Sequence, residues 1–202
     1  MKRKMVAYIS AAALLTALLA GCGGTGGQSE PPSTPPAPVS GEPAQGDTDA
    51  ADAPTVYMTT DISPEGLMAT YEALNWSPTG SVAVKLSTGE PPNSNYLRPE
   101  LIKDVVQAVD GTIVECNTAY GGQRSSTAMH YQVAEDHGFT AIADVVILDE
   151  NGSMTIPVSG GTHLSENYVG EHFADYDSYL VLSHFKGHAM AGFGGAIKNI
   201  SI

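Results

Sequence analysis

The last 21 residues, Leu182 to Ile202, read LSHFKGHAMAGFGGAIKNISI and hold two histidines, two lysines and four glycines. Imidazoles and amines move protons and hold anions near neutral pH, and glycines let backbone N–H groups approach a ligand closely. His184 and His188 are four apart. On a helix that spacing serves a metal, but Gly187 and the preceding apolar run point to a turn, so spacing alone does not make a metal site. The glycine run is not a phosphate loop: Lys198 follows Ile197, and Asn199 stands where a Ser or Thr would hold magnesium. The run GFGGAI lacks the third glycine of a dinucleotide fingerprint, and no strand signal directly precedes it. What remains is a donor-rich loop containing Gly194 and Gly195 that leads into a helix with Lys198 in its first turns. An amine there suits a nucleophile or a covalently modified group, with a surface lysine after a tight turn as the equal alternative.

Two further clusters lie upstream. Lys85 interrupts the apolar run SVAVKLS (81–87), either as a strand-end cation reaching a ligand or as an edge residue. After GTIVECN (111–117), Asn117, Thr118, Tyr120 and Arg124 surround Gly121-Gly122 in a strand-to-helix turn. Small residues, N–H groups at a helix start and a guanidinium make an anion cradle. A capped helix with a solvated arginine is the alternative, and the scarcity of basic residues favours the cradle. His130 and His137 lie seven apart on the following helix, two turns from each other, and read as surface or capping histidines. His163 and His172 carry no recognisable spacing. With His184 and Lys186, these groups suggest a site for a small anionic ligand, with His188 and Lys198 as the candidate catalytic pair.

The elements that must carry these residues alternate. SPEGLMATYEAL (63–74) has Ser63 as a cap and Pro64 in the first turn. RPELIKDVVQAV (98–109) puts Leu101, Ile102, Val105, Val106 and Val109 on one helical face. RSSTAMHYQVAEDHGF (124–139) reads as a helix closed by Gly138. SVAVKLS, GTIVECN, DVVILD (144–149), SMTIPVSG (153–160) and YLVLSH (179–184) read as strands or extended pieces. Nearly continuous apolar strands between helices predict an α/β domain, a mostly parallel sheet with helices on both faces. In such sheets ligands gather at the carboxyl ends of the strands, which here means after VKL, IVE and LVLS.

The remainder of the chain sets the context. MKRK, an apolar run and small residues before Cys22 form a secretory signal over residues 1–21, shorter in its apolar part than a spanning helix needs. Leu19-Ala20-Gly21-Cys22 resembles the lipobox of bacterial lipoproteins, which implies lipidation at Cys22 and an extracytoplasmic, membrane-anchored protein. Residues 22–54, rich in Gly, Pro, Ser, Thr, Ala and acids, read as a disordered tether. Residues 55–202 then form the globular domain. Removing Lys2, Arg3 and Lys4 with the signal leaves six basic residues against 22 acids, a net −16. So acidic a surface repels nucleic acid and anionic lipid head groups, and argues against nucleic acid as a partner. Besides Cys22 the chain holds only Cys116, too few thiols for an iron–sulfur cluster.

The domain resembles the domain of unknown function 362 family. Three runs carry the likeness: Asn117-Thr118-Ala119-Tyr120 with Arg124; Ala134 to Phe139 with His137-Gly138; and Ser183 to Asn199. Where the family often has Asp-Thr before Asn-Thr, this chain has Glu115-Cys116, and Cys116 takes no family role. The run from His188 to Lys198 is also similar to a segment of the nickel-pincer lactate racemases. That similarity implies Lys198 as the attachment point of a pyridinium-derived pincer cofactor, His188 as the acid/base, and hydroxy-acid racemisation or hydride transfer as an alternative function. The racemases place a nickel-binding histidine beyond this lysine. The expectation is therefore a domain truncated at its C-terminus, with turnover left open and room for a separate chain that supplies the remaining part.

Overall fold

The computed structural model describes residues 53–189 and 192–200. The signal segment, Cys22 and the tether through residue 52 lie outside the described residues. Helix α1 (Pro64–Ala73) begins where Ser63 predicts: the Ser63 hydroxyl accepts from Gly66 N at 3.0 Å, and Pro64 fills a first-turn position that needs no donor. Ser63→Ala should therefore cost about 1 kcal/mol in urea denaturation, and no loss would mean that this cap does not hold the helix.

Strand β1 (Val82–Lys85) follows, then α2 (Pro99–Ala108), whose Ile102, Val105 and Val106 are buried as its periodicity requires. Strand β2 is Thr112–Glu115 and α3 is Thr127–Asp136, shorter than the 124–139 expected. Gly138 (φ 84°) takes the left-handed conformation that ends α3, and a 3-10 turn, Phe139–Ala141, leads to β3 (Val145–Ile147). Strand β6 (Ser178–Val181) completes a four-stranded parallel sheet in the order β3-β2-β1-β6. The α/β fold with a parallel sheet and flanking helices is thus the architecture of the domain.

Crossover handedness explains which face each segment covers. From β1 through β2 to β3 the chain steps in one direction, and right-handed crossovers put α2 and α3 on one face. There the main core forms: Val82, Val84 and Ile113 from the sheet meet Ile102, Val106, Ala134 and Phe139, with Leu67 and Tyr71 of α1 against them. From β3 the chain reverses direction to reach β6, so that connection lies on the other face. It carries a smaller cluster of Ala83, Val114 and Leu148 with Val146, Tyr176 and Tyr179. A 3-10 helix, Glu171–Asp175, gives this face its helical cover, and its Phe173 stacks on Tyr179 at 4.9 Å.

Residues 153–160, read as a further extended piece, do not join the parallel sheet. Strand β4 (Ser153–Pro157) pairs antiparallel with β5 (Glu166–Gly170) in a separate hairpin. The alternating burial of β4 fits a strand with one wetted face. Gly170 seats the hairpin, since a Cβ there would come within 2.5 Å of the Leu148 carbonyl. A second hairpin, β7 (Lys186–His188) with β8 (Gly192–Gly194), precedes the short helix α4 (Ala196–Ile200). Among the described residues no helix is long and apolar enough to cross a membrane.

Candidate functional site

Strand β1 lies between β2 and β6, so successive connections leave it in opposite directions. Such a switch point opens a crevice at the carboxyl ends of the two diverging strands. Lys85 ends β1 at this point, opposite Val181 of β6. It is therefore a central residue and not an edge residue, and it is 4% exposed. Its Nζ donates to Glu115 Oε1 at 2.8 Å, to Asn199 Oδ1 at 3.0 Å and to the Leu86 carbonyl at 3.3 Å. Glu115 ends β2 beside it and also accepts from Thr88 N, Cys116 N and Arg124. A buried ammonium and a buried carboxylate thus satisfy each other, as burial of either demands.

Asn199 of α4 fills the crevice itself. Its Nδ2 donates to the carbonyls of Lys85 (3.3 Å) and Leu182 (3.1 Å) and to Ser183 Oγ (3.0 Å). One carboxamide thereby ties the diverging ends of β1 and β6 to the C-terminal helix.

The turn after β2 gathers donors around a carboxylate of the chain. Gln123 N donates to Glu90 Oε1 at 2.6 Å, and Arg124 Nε donates to Glu90 Oε2 at 3.2 Å. Gly122 permits the approach, because a Cβ there would lie 2.4 Å from Glu90 Oε1. Partial burial resists the charge on Glu90, but the Gln123 N–H and the Arg124 guanidinium outweigh it and hold the carboxyl below its usual range. Arg124 also reaches Ser87 Oγ at 3.1 Å. Thr118 caps this turn through its own backbone N–H to the Arg124 carbonyl, while Tyr120 projects outward, 75% exposed.

His130 is not a surface histidine; it is fully buried. Its Nε2 lies 2.8 Å from Thr88 Oγ1 and its Nδ1 3.4 Å from Asn117 Oδ1. The Asn117 amide donates through Nδ2 to Thr127 Oγ1, so its oxygen accepts from His130 Nδ1–H and Nε2 accepts from the Thr88 hydroxyl. Burial, only partly offset by the Glu115 carboxylate, pushes the imidazole down to about 4. His137 sits at the C-cap of α3, stacks on Tyr96 at 4.1 Å and donates from Nδ1 to the Thr88 carbonyl at 2.7 Å. Both histidines therefore shape the Ser87–Thr88 loop over the ion pair.

Beside the ion pair lies a cavity of about 340 Å³, bounded by Lys85, Cys116, Asp149 and Tyr179 and roofed by Asn167 and Tyr168 of β5. Burial and the Asp149 carboxylate push the Cys116 thiol up to about 11, so it stays protonated at neutral pH. A larger depression of about 600 Å³, lined by Asp110, Thr112 and Asp144, lies at the opposite end of β2, away from these side chains.

The C-terminal candidates form their own group. Lys186 stands opposite Gly194 in the β7–β8 register, and His188 stands opposite Gly192. Residues opposite each other in an antiparallel pair share a face, as do residues two apart along a strand. A Cβ built on Gly194 would lie 3.0 Å from Lys198 Cδ, so the stem of Lys198 covers that same face. Lys186, His188 and Lys198 therefore lie on one face of the hairpin, with Lys198 against Gly194. His184 is exposed on the approach to β7, and Gly195 meets the other face, near Phe185 and Phe193. Among the described residues no cluster of three His, Cys, Asp or Glu can hold a metal ion.

The residues that sequence reasoning missed are Glu90, Glu115, Thr88 and the burial of His130. One signal was available for the pair: VAVK and TIVE are parallel strands of equal pattern whose last residues carry opposite charge. No such signal marks Thr88 or His130, whose contact joins positions 42 apart.

No curated protein and no solved structure matches the chain significantly. The family model described as Domain of unknown function (DUF362) matches residues 82–202, from the first residue of β1 through α4. The switch-point ion pair, the Glu90 cradle and the C-terminal cationic group all fall within that span, and the chain belongs to the DUF362 family.

Proposed function

We propose that this is a lipid-anchored extracytoplasmic protein whose α/β domain binds a small anionic ligand on the face formed by Lys186, His188 and Lys198. The placement of these three residues on one face of the β7–β8 hairpin is the observation that carries the reading. Charge supports it, since three of the chain's few cationic or protonatable groups, Lys186, His188 and Lys198, lie within thirteen residues of one another. In a chain of formal charge −13 the C-terminal segment is thus the natural ground for an anion. Lys85, Thr88, Glu115 and His130 are each at most 5% exposed, so their part is to hold the strand ends on which this segment rests. The anchor rests on the signal, the lipobox-like run and Cys22.

A ligand-shift melt with phosphate and small carboxylates tests the reading. Ligand at a hundredfold excess over its Kd should stabilise the parent by about 2.7 kcal/mol. Lys186→Gln/Lys198→Gln should abolish the shift, whereas Arg124→Gln should lower the melting temperature and keep it. A shift that survives the double substitution would refute the site.

A further inference from the structure

We infer that the anion taken by this face is the phosphate of an anionic phospholipid, and that the β7–β8 hairpin is a second contact of the domain with the bilayer. The inference rests on the proposed anion site and on the proposed anchor at Cys22. Its independent ground is the opposite face of the hairpin. Gly187 pairs with Phe193, one position out of phase with Lys186 and His188, so the Phe193 ring leaves on the other side. Phe185 lies against it with ring centroids 5.5 Å apart. The two rings are 71% and 62% exposed, and Ile197 on the following helix is 85% exposed.

Aromatic rings on one side of a short ribbon and amines on the other match the two layers of a membrane surface. Rings enter the boundary of the acyl chains while lysines extend along apolar surface to the phosphates. Charge selects which part of the protein can do this. All 22 acids lie at or before Asp177, so an anionic leaflet repels the body of the domain and attracts only its last segment. The tether supplies proximity. Lipidation at Cys22, as proposed, keeps the domain near the headgroups and raises the effective concentration of the hairpin there. A contact too weak to bind a free protein therefore suffices to orient a tethered one.

The experiment uses the full acylated chain in vesicles. Phe193→Trp in a Trp76→Phe background places one reporter on the hairpin, and the parent, with Trp76 alone, is the reference. Phe185→Trp serves the same purpose on the neighbouring ring. With brominated acyl chains in phosphatidylglycerol vesicles, the hairpin reporter should be quenched about twofold and Trp76 should not, and Lys186→Gln/Lys198→Gln should remove most of the quenching. Equal quenching in pure phosphatidylcholine would overturn the headgroup assignment. No quenching, while the soluble-anion shift persists, would overturn the membrane contact and leave the anion site standing. Loss of both would remove both readings, and intact mass at Cys22 reads the anchor separately.

Discussion

Glu115→Leu is expected to destabilise the domain by about 3–5 kcal/mol in urea denaturation at neutral pH. The substitution leaves the Lys85 ammonium, 4% exposed in the central strand, with only the Asn199 and Leu86 oxygens as acceptors. It also strips Thr88 N and Cys116 N of the carboxylate that receives them. Lys85→Met should cost less, because the stranded carboxylate keeps those two N–H donors and Arg124 at 3.5 Å. Removing both charges together should recover part of the loss, since two apolar side chains of similar volume suit a buried site better than one unpaired ion. A double-mutant cycle measures this coupling. Strictly additive losses would show that the pair is not the unit that holds β1 to β2.

Acidification should weaken the fold by about 3 kcal/mol through His130 alone between neutral pH and pH 4. The sign follows from its position. The imidazole titrates near 6.5 in the unfolded chain and near 4 in the fold, so the unfolded state binds more protons throughout that window. Stability is therefore full above 6.5, falls as the pH drops through the window, and is lost below the folded value. The groups facing His130 are the Thr88 hydroxyl, the Asn117 amide, the carboxylates of Glu115, Asp149 and Glu90, and the Arg124 guanidinium. His130→Gln keeps an acceptor for Thr88 and a donor for Asn117 without the titration. Its stability should stay flat below 6.5 until the carboxylates titrate, where Glu90, held below its usual range in the fold, costs both proteins stability as the pH falls further. An unchanged slope in the variant would assign the acid sensitivity elsewhere.

Local sequence chemistry determined a good part of this protein. Ser63-Pro64 starts α1 and Gly138 ends α3 because a cap needs only a few neighbouring residues to act. The buried stripe of α2 and the apolar runs of β1 and β2 report their periods within one window, and the α/β class follows from their alternation. The candidate site was legible as residue types: Lys85, Arg124 and the Lys186–Lys198 segment are where scarce cations sit. Tertiary structure alone decided their partners. Lys85 meets Glu115 across two strands and Asn199 across 114 positions, and Arg124 meets Glu90 across 34. Thr88 and His130 reveal nothing of their contact until α3 packs beside the loop after β1. The strand order β3-β2-β1-β6 turned a lysine that could have lain at an edge into the centre of the sheet. A pattern along the chain carries the period of a helix or strand, whereas pairing between distant segments depends on which of many compatible orders closes the core, and no local spacing encodes that choice.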